Sequence, residues 1–465
     1  MEKINLYSVT KDFTNDLTTP MSAYLRLNET DAFFLESVEK GTSIGRYSMI
    51  GLDPLIKIQG YDTYINFTKM GEQTIIDGHP LDLLNKLYRT MTHEQNGETP
   101  MKVGFFGHFK WDVISVIESL SLNRANNKLY EFQIPKKLII FDHVMQKIHI
   151  TISGLSRLDG AAEISEMLSK IQQPFEPVKF NSAIKKDPIN WDEVKSNWNK
   201  ADYEKAVEKV KGHIKEGDIF QGVISQRFNV RREKDSLSVY RALRHINPSP
   251  YMFYFNYGDH KVIGSSPEIL VKAKDGVATV RPIAGTRKRT FIDEGKLIED
   301  LKQDEKEVAE HVMLVDLGRN DLGRVCNFDS VKISDMMSIE TYSHVIHMVT
   351  NVEGDLKPLM TPIDLFKAVF PAGTVSGAPK IRAIEIINEI EPDPRGIYSG
   401  SVGYFNLDGD VDFCIAIRSI IAEDNQYFVQ AGAGIVNDSI PENEYNETKN
   451  KAEGVLMACL NGDEA

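Results

Sequence analysis

The first third of the chain alternates short apolar runs with turn residues. Tyr47-Ser48-Met49-Ile50-Gly51, Gly104-Phe105-Phe106-Gly107 and Lys137-Leu138-Ile139-Ile140-Phe141 read as strands. Apolar positions at helical spacing predict helices over 81–91 and 159–172. Residues 173–190 carry Pro174, Pro177 and Pro188 and little periodicity, which predicts a linker. Beyond it Tyr203, Val207, Val210 and Ile214 recur at helical spacing, and Gly217 stops that helix. Strand-like runs follow at 219–230, 251–257, 262–272 and 277–282. Residues 304–317 read as a helix with Val308, Val312 and Val315 on one side. Thr361-Pro362 and Ala378-Pro379 each look like a cap followed by a first-turn proline. The chain ends in strands over 400–405, 413–420 and 426–433 and a helix over 442–460.

Strands and helices are mixed without a βαβ beat. This predicts an α+β fold with antiparallel sheets rather than a doubly wound one. Three segments are expected: 1–172, a linker over 173–198, and 199–465. The length of 465 residues and a hydrophobic share of 42% allow a large core. A net charge of −13 argues against a nucleic-acid backbone as main partner, which needs a basic stripe. Cys326, Cys414 and Cys459 are widely spaced and form no C-x-x-C pair. That predicts neither a disulfide framework nor a zinc site, and fits a reducing cytoplasm. Residues 1–10 hold no apolar leader, and no run reaches the ~20 residues of a membrane span.

Two predicted helices carry paired carboxylates. Glu307 and Glu310 are three apart; Glu444, Glu447 and Lys451 are spaced three and four. Side-by-side carboxylates repel, and oxygen-only ligands suit Mg²⁺; solvated helix faces show the same pattern. Gly432-Ala433-Gly434 lets a backbone approach an anion, or is a plain turn. Residues 373–380 form a glycine-containing loop running into a helix start, where free N–H groups favour an anion, but without the spacing of a nucleotide loop. Arg418 closes an apolar run and can clamp a carboxylate, or face solvent. On a strand, His347 shares a face with Val345 and Val349 while His344 lies opposite; it is a core residue or a catalytic acid or base.

Laid out together, these residues sit among longer motifs. They are Asn247-Pro248-Ser249-Pro250-Tyr251-Met252-Phe253-Tyr254, Gly264-Ser265-Ser266-Pro267-Glu268, Arg281-Pro282-Ile283-Ala284-Gly285-Thr286, and the runs 309–317, 370–380 and 430–436. In these motifs the chain resembles the chorismate-utilising enzymes, most strongly over 203–458. The resemblance implies two facing antiparallel sheets flanked by helices, with the N-terminal region woven into the same fold. It implies Mg²⁺ held by Glu310 and Glu447, with Glu307 and Glu444 around the metal's water. Chorismate contacts would fall on Thr286, Thr374, Tyr398, Arg418, Gly432, Gly434 and Lys451. Glu268 matches the acid that assists loss of the C4 hydroxyl, and His347 the residue linked to pyruvate elimination.

Two positions separate the branches of that family. Members that add water carry a lysine base where this chain has Gln221. Aminodeoxychorismate synthases generally carry a nucleophilic lysine where this chain has Ala284. Both positions imply direct attack of ammonia at C2 and loss of pyruvate, giving anthranilate; the folate-branch synthase is the alternative. A catalytically dead sensor would have no use for the intact Glu268, Glu310, His347, Glu447 and Lys451. Family members usually read Gln-Val-Val after Phe220, and Gly222 departs from that. Phe34-Leu35-Glu36-Ser37 resembles an element that holds feedback tryptophan, with Pro250 and Met252 as its second wall. None of the three cysteines sits on a nucleophile turn, so the chain is expected not to use glutamine alone; the resemblance implies a separate glutamine amidotransferase subunit that supplies ammonia.

Overall fold

In the computed structural model, residues 2–27, 29–38, 45–123, 128–174, 189–288, 294–341 and 345–461 are described. The side chains of Ala284, Thr286, Lys288 and Val345 lie outside that description, as do His344 and most of the expected linker. Among the described residues Ile4–Thr14 runs parallel to Met91–Asn96, and every other strand pair is antiparallel.

The strands form one hydrogen-bonded network that closes on itself, so the two facing sheets are walls of one barrel. Tyr47–Tyr61 and Lys128–Asp142 are paired along their length, with Pro54 opposite Pro135 and a shift of register beside them. One half of this ribbon pairs with Ala32–Glu36 and Lys147–Gly154 in the first wall. The other half pairs with Tyr64–Lys69 and Gly104–Phe109 in the second. Prolines cannot donate to a ladder, so the bend falls where pairing is already interrupted. Early and late segments are interleaved: Ala32–Glu36 pairs with Tyr251–Asn256, and Gly104–Phe109 with Ser401–Asn406. The end of the 173–198 segment joins the sheet too, through Lys195 opposite Asn229 and Ser196 opposite Phe228.

Helices cover both outer faces. Pro20–Leu27, Ala161–Gln172, Ser236–Ile246 and Pro441–Asn461 bury Tyr24, Met167, Leu243 and Leu456 against the first wall. Pro80–Thr90, Glu305–Gly323 and Pro362–Val369 bury Leu84, Val315 and Phe366 against the second. A third apolar cluster, with Phe33, Phe106, Phe253 and Cys414, draws on strands of both walls.

Two local expectations change and a third holds. On Glu305–Gly323 the buried face is His311, Leu314, Val315, Gly318 and Leu322, while Val312 is 37% exposed; three valines were too few to fix the stripe. Thr361 does cap its helix, in a reciprocal box with Asp364. Ala378 does not. It pairs with Gln221 in a short strand, and the helix Lys380–Ile390 starts one residue later, with Pro379 as its cap. Gly377, at φ +142°, permits that approach: a Cβ there would collide with the Gln221 carbonyl.

Gly222 has a steric cause. A Cβ there would lie 3.1 Å from Ile219 Cδ1 and 3.2 Å from Val210 Cγ1, under the helix Lys200–Glu216. Gly222→Val is expected to lower stability by about 1–3 kcal/mol through overpacking, read as the denaturant midpoint. An unchanged midpoint would show that this helix is free to move aside.

Candidate active site

Two adjacent strands break at the same level. The runs 262–272 and 413–420, expected to be continuous, are each divided. Lys261–Ser266 and Ile269–Lys274 flank Pro267-Glu268; Val411–Ile415 and Ser419–Glu423 flank Arg418. Pro267 removes a ladder donor, and Arg418 takes a left-handed φ of 51°. The breaks are tied across: the Ile415 N–H donates to the Glu268 carbonyl at 3.0 Å, and the Ser265 N–H to the Arg418 carbonyl at 3.1 Å. One broken pair of strands thus delivers an acid and a guanidinium to the same level of the wall.

The Glu268 carboxyl accepts a hydrogen bond from the Thr374 hydroxyl at 2.8 Å. It lines a small cavity with Thr374, Leu314, Leu317 and Ile415. Burial raises its pKa to about 7, against the lowering effects of Thr374 and Lys451. A carboxyl poised there can hold a proton near neutrality and release it. Thr374 belongs to the turn Gly373–Val375, not to an open anion loop. Residue Ser376 of the same run accepts the Val223 N–H, and Lys380 is bound to Asp321 at 2.9 Å.

The strand Gln426–Ile435 forms a floor on which Gly432 and Gly434 leave room. A Cβ on Gly432 would lie 2.8 Å from the Tyr398 hydroxyl, and one on Gly434 2.8 Å from Gln221 Nε2. Tyr398 is buried, which pushes its hydroxyl up to about 12 and keeps it a donor. Gln221 Nε2 donates to Glu310 Oε1 at 3.0 Å. A carboxylate only accepts, so the amide orientation is fixed chemically. The Gln221 oxygen is left buried without a partner.

Lys451 Nζ bridges Glu447 Oε1, at 2.6 Å, and the Gly432 carbonyl, at 3.0 Å. Arg418 donates to the Lys451 carbonyl, and burial lowers its pKa. Glu307 Oε1 accepts from Arg287 at 3.1 Å. The four predicted metal carboxylates therefore point to separate donors, Glu444 to Ser439. Among the described residues the set of three or more ligand atoms within 4.8 Å is His213, Glu216 and Asp218 instead. A divalent cation still suits the group: burial raises the Glu444 carboxyl, and the Glu447 charge raises it further. Like charges facing one another across a short helical step are relieved by a cation between them.

His347 lies opposite Thr286 in register, beside a bulge at Gly285, whose φ is +71°. Its Nδ1 is 3.4 Å from the Gly285 carbonyl, and burial lowers its pKa, favouring the neutral ring. With Nδ1–H toward that carbonyl, the neutral ring carries its proton on Nδ1. The Thr286 side chain lies outside the described residues.

Glu36, Ser37, Pro250 and Met252 are separate from this site and line one cavity with Tyr251, Tyr404 and Cys414 between the walls. Glu36 accepts from the Tyr240 hydroxyl at 2.7 Å and is 3.0 Å from Arg244 Nε; burial raises its pKa. Ser37 Oγ is buried without a partner. The cavity is one residue from the site, since Cys414 precedes Ile415, whose N–H holds Glu268.

Sequence reading passed over two charges under the floor, Glu391 and Arg395, whose side chains are 5% and 1% exposed. Their only signal is opposite charge four residues apart across Pro392 and Pro394, which reads as a surface turn.

With this geometry in place, comparison with known proteins is informative. The chorismate binding enzyme profile matches residues 31–457. The chain is 41% identical over 473 residues to anthranilate synthase component 1 of Acetivibrio thermocellus, covering 98% of this chain and 95% of the relative. The crystal structure of anthranilate synthase component I from Streptococcus pneumoniae superposes with a TM-score of 0.79 at 36% identity, over 95% of this chain and 99% of that one. The menaquinone-specific isochorismate synthase of Escherichia coli superposes at 0.72 with 18% identity, over 98% and 95%, a likeness of fold alone. Match length and identity together place this chain in the chorismate binding enzyme family.

Proposed function

We propose that the chain is the large subunit of an anthranilate synthase, converting chorismate and ammonia into anthranilate, pyruvate and water. The observation that carries this is the Gln221 amide, whose N–H binds Glu310 while its buried oxygen has no partner. That oxygen accepts an N–H of ammonia and leaves the nitrogen lone pair free to attack C2. It is too weak a base to activate water. The protonated Glu268 carboxyl gives its proton to the departing C4 hydroxyl, which leaves as water while the ring double bonds shift. His347 then takes the C2 proton and returns it to the enolpyruvyl group, which leaves as pyruvate when the C3–O bond breaks, while the ammonium formed at C2 loses its extra proton and restores the Glu268 acid. Arg418 and the Tyr398 hydroxyl hold a substrate carboxylate, and Lys451 and Thr374 fix the ring. Glu310 and Glu447 would hold Mg²⁺, with Glu307 and Glu444 around its water, and the bound ion would neutralise a substrate carboxylate and draw electron density from the ring. The folate-branch alternative needs a nucleophile where Ala284 has none, and the relatives do not favour it.

Ammonia from glutamine requires a thiolate. Cys326, Cys414 and Cys459 are all buried, and burial pushes all three thiols up, Cys326 to about 11. A separate amidotransferase subunit is the consistent source, and buried free thiols suit the cytoplasm. Among the described residues no helix is long and apolar enough to cross a membrane. The Glu36–Ser37 cavity fits feedback by tryptophan: an unpartnered hydroxyl, a buried carboxylate and aromatic walls offer contacts to an amino acid with a flat apolar side chain.

The purified chain with ammonium, chorismate and Mg²⁺ is expected to release anthranilate and pyruvate, identified by fluorescence and mass, and to make none from glutamine alone. Isochorismate or a 4-amino product would refute the assignment, and turnover on glutamine would reveal a hidden glutaminase.

Glu268→Gln should cut kcat by about 10²–10⁴-fold as the acid is lost. The folded Glu268 carboxyl binds its proton more tightly than an unfolded one. Its stabilising contribution is therefore largest below the ordinary value of 4.5 and is lost as pH rises through about 7. The variant's melting temperature should gain on the wild type between about pH 5 and about pH 8. A constant difference across that range would contradict a raised Glu268.

Ser37→Ala should weaken inhibition by tryptophan while turnover without it is kept. The coupling lost should be about 1–3 kcal/mol. Unchanged inhibition would place the effector elsewhere.

A further inference from the structure

The pair formed by Glu391 and Arg395 does more than fill the core. Arg395 Nη2 lies 2.8 Å from Glu391 Oε1, and Nε 2.9 Å from Oε2, a two-pronged bond with both side chains buried. The remaining donors of Arg395 reach three different segments. Nη1 donates to the Val375 carbonyl at 2.6 Å and to Ser399 Oγ at 3.2 Å; Nη2 donates to the Val223 carbonyl at 2.7 Å. Its guanidinium also lies over the Trp111 and Tyr398 rings, at 4.5 and 5.6 Å. Glu391 Oε1 in turn accepts the Ser225 N–H and hydroxyl, both at 2.8 Å.

Each of these segments is a wall of the proposed site. Val375 follows Thr374, the donor to Glu268. Ser399 follows Tyr398, whose ring the guanidinium faces. Val223 and Ser225 pair with Gly434 and Gly432 across the ladder. On the far side of that strand the ladder to Gly377–Ala378 stops at the bond from Val223 N–H to the Ser376 carbonyl. Beyond that point the ion pair takes the place of a neighbouring strand. A single desolvated fork therefore fixes the acid's partner, the tyrosine and the glycine floor relative to one another.

We infer that Arg395 is a positioning residue for this reaction, acting through Thr374 and Tyr398 and held in place by Glu391. The inference rests on the proposed site and names a part of it that touches no substrate. A lysine there keeps the charge but, as a point donor, cannot span the carboxylate and two carbonyls together.

The test is a double-mutant cycle on kcat, per folded enzyme, with Arg395→Lys, Thr374→Val and the double variant. Arg395→Lys is expected to lower kcat about 100-fold, the effect of roughly an ångström of misplacement. Adding Thr374→Val should cost little more, because the Thr374 bond is already misaligned. If the two effects multiply, or if Arg395→Lys lowers melting temperature with kcat intact, Arg395 is only a structural residue. If Thr374→Val alone turns over at the wild-type rate, the proposed site falls, and this role with it. Should Arg395→Lys fail to fold, the same cycle with Glu391→Gln, which keeps shape and removes charge, decides by the same criteria.

Discussion

Along a paired strand the backbone N–H and C=O groups are committed to the ladder, and a break in the ladder lets side chains leave the regular alternation of the wall. Here two neighbouring strands, one from Lys261 to Lys274 and one from Val411 to Glu423, are broken side by side at Pro267-Glu268 and Arg418. The cross-bonds from Ile415 to Glu268 and from Ser265 to Arg418 close the gap, so the wall stays sealed while two side chains leave its regular alternation. Three further site elements sit at irregularities, while Gln221, Gly432 and Gly434 lie on paired strands. Gly285 is a bulge, Gly373–Val375 is a turn, and Ser399, beside Tyr398, has a φ of 63°.

That constraint also sorts what the sequence revealed from what it hid. Long elements with clear periodicity or caps were legible: the Lys200–Glu216 helix ending at Gly217, the Thr361 cap, the glycine strand at the end of the chain. The two breaks were not. Apolar runs resume on both sides of Pro267-Glu268 and of Arg418, and a period-two pattern does not show that the two interruptions lie side by side. Arg418 is legible as a carboxylate clamp and Glu268 through the family resemblance, while their shared level in the wall is a property of pairing between segments ~150 residues apart in sequence. Glu391 and Arg395 were hidden for a related reason. A charged pair flanking prolines looks like a solvated turn until tertiary structure closes over it.

Charge is divided in the site by environment rather than by residue type. Glu268 is enclosed, with a hydroxyl and apolar neighbours, and keeps its proton near neutrality. Glu310, Glu447 and Glu307 each have a donor within about hydrogen-bond reach, namely Gln221, Lys451 and Arg287. One side-chain type thus occupies two environments, separated by desolvation on one side and by charged or polar partners on the other, as the proposed acid and ligand roles require. Burial favours the neutral ring of His347.

The fold itself leaves the nucleophile open. A menaquinone-specific isochorismate synthase shares the architecture at 18% identity, a likeness of fold that does not fix the reaction. The choice then rests on atoms around C2, and two of them are set by the local backbone. Gln221 is anchored through Glu310 and through the strand pairing with Ala378, which fixes where its oxygen points. Gly434 keeps the adjacent position empty, because a Cβ there would meet the Gln221 amide. A lysine at 221 would bring a flexible amine beside the Glu310 carboxylate and, once deprotonated, could serve as a base for water. The glutamine brings a rigid neutral acceptor, which suits a nucleophile that carries its own lone pair and needs only orientation.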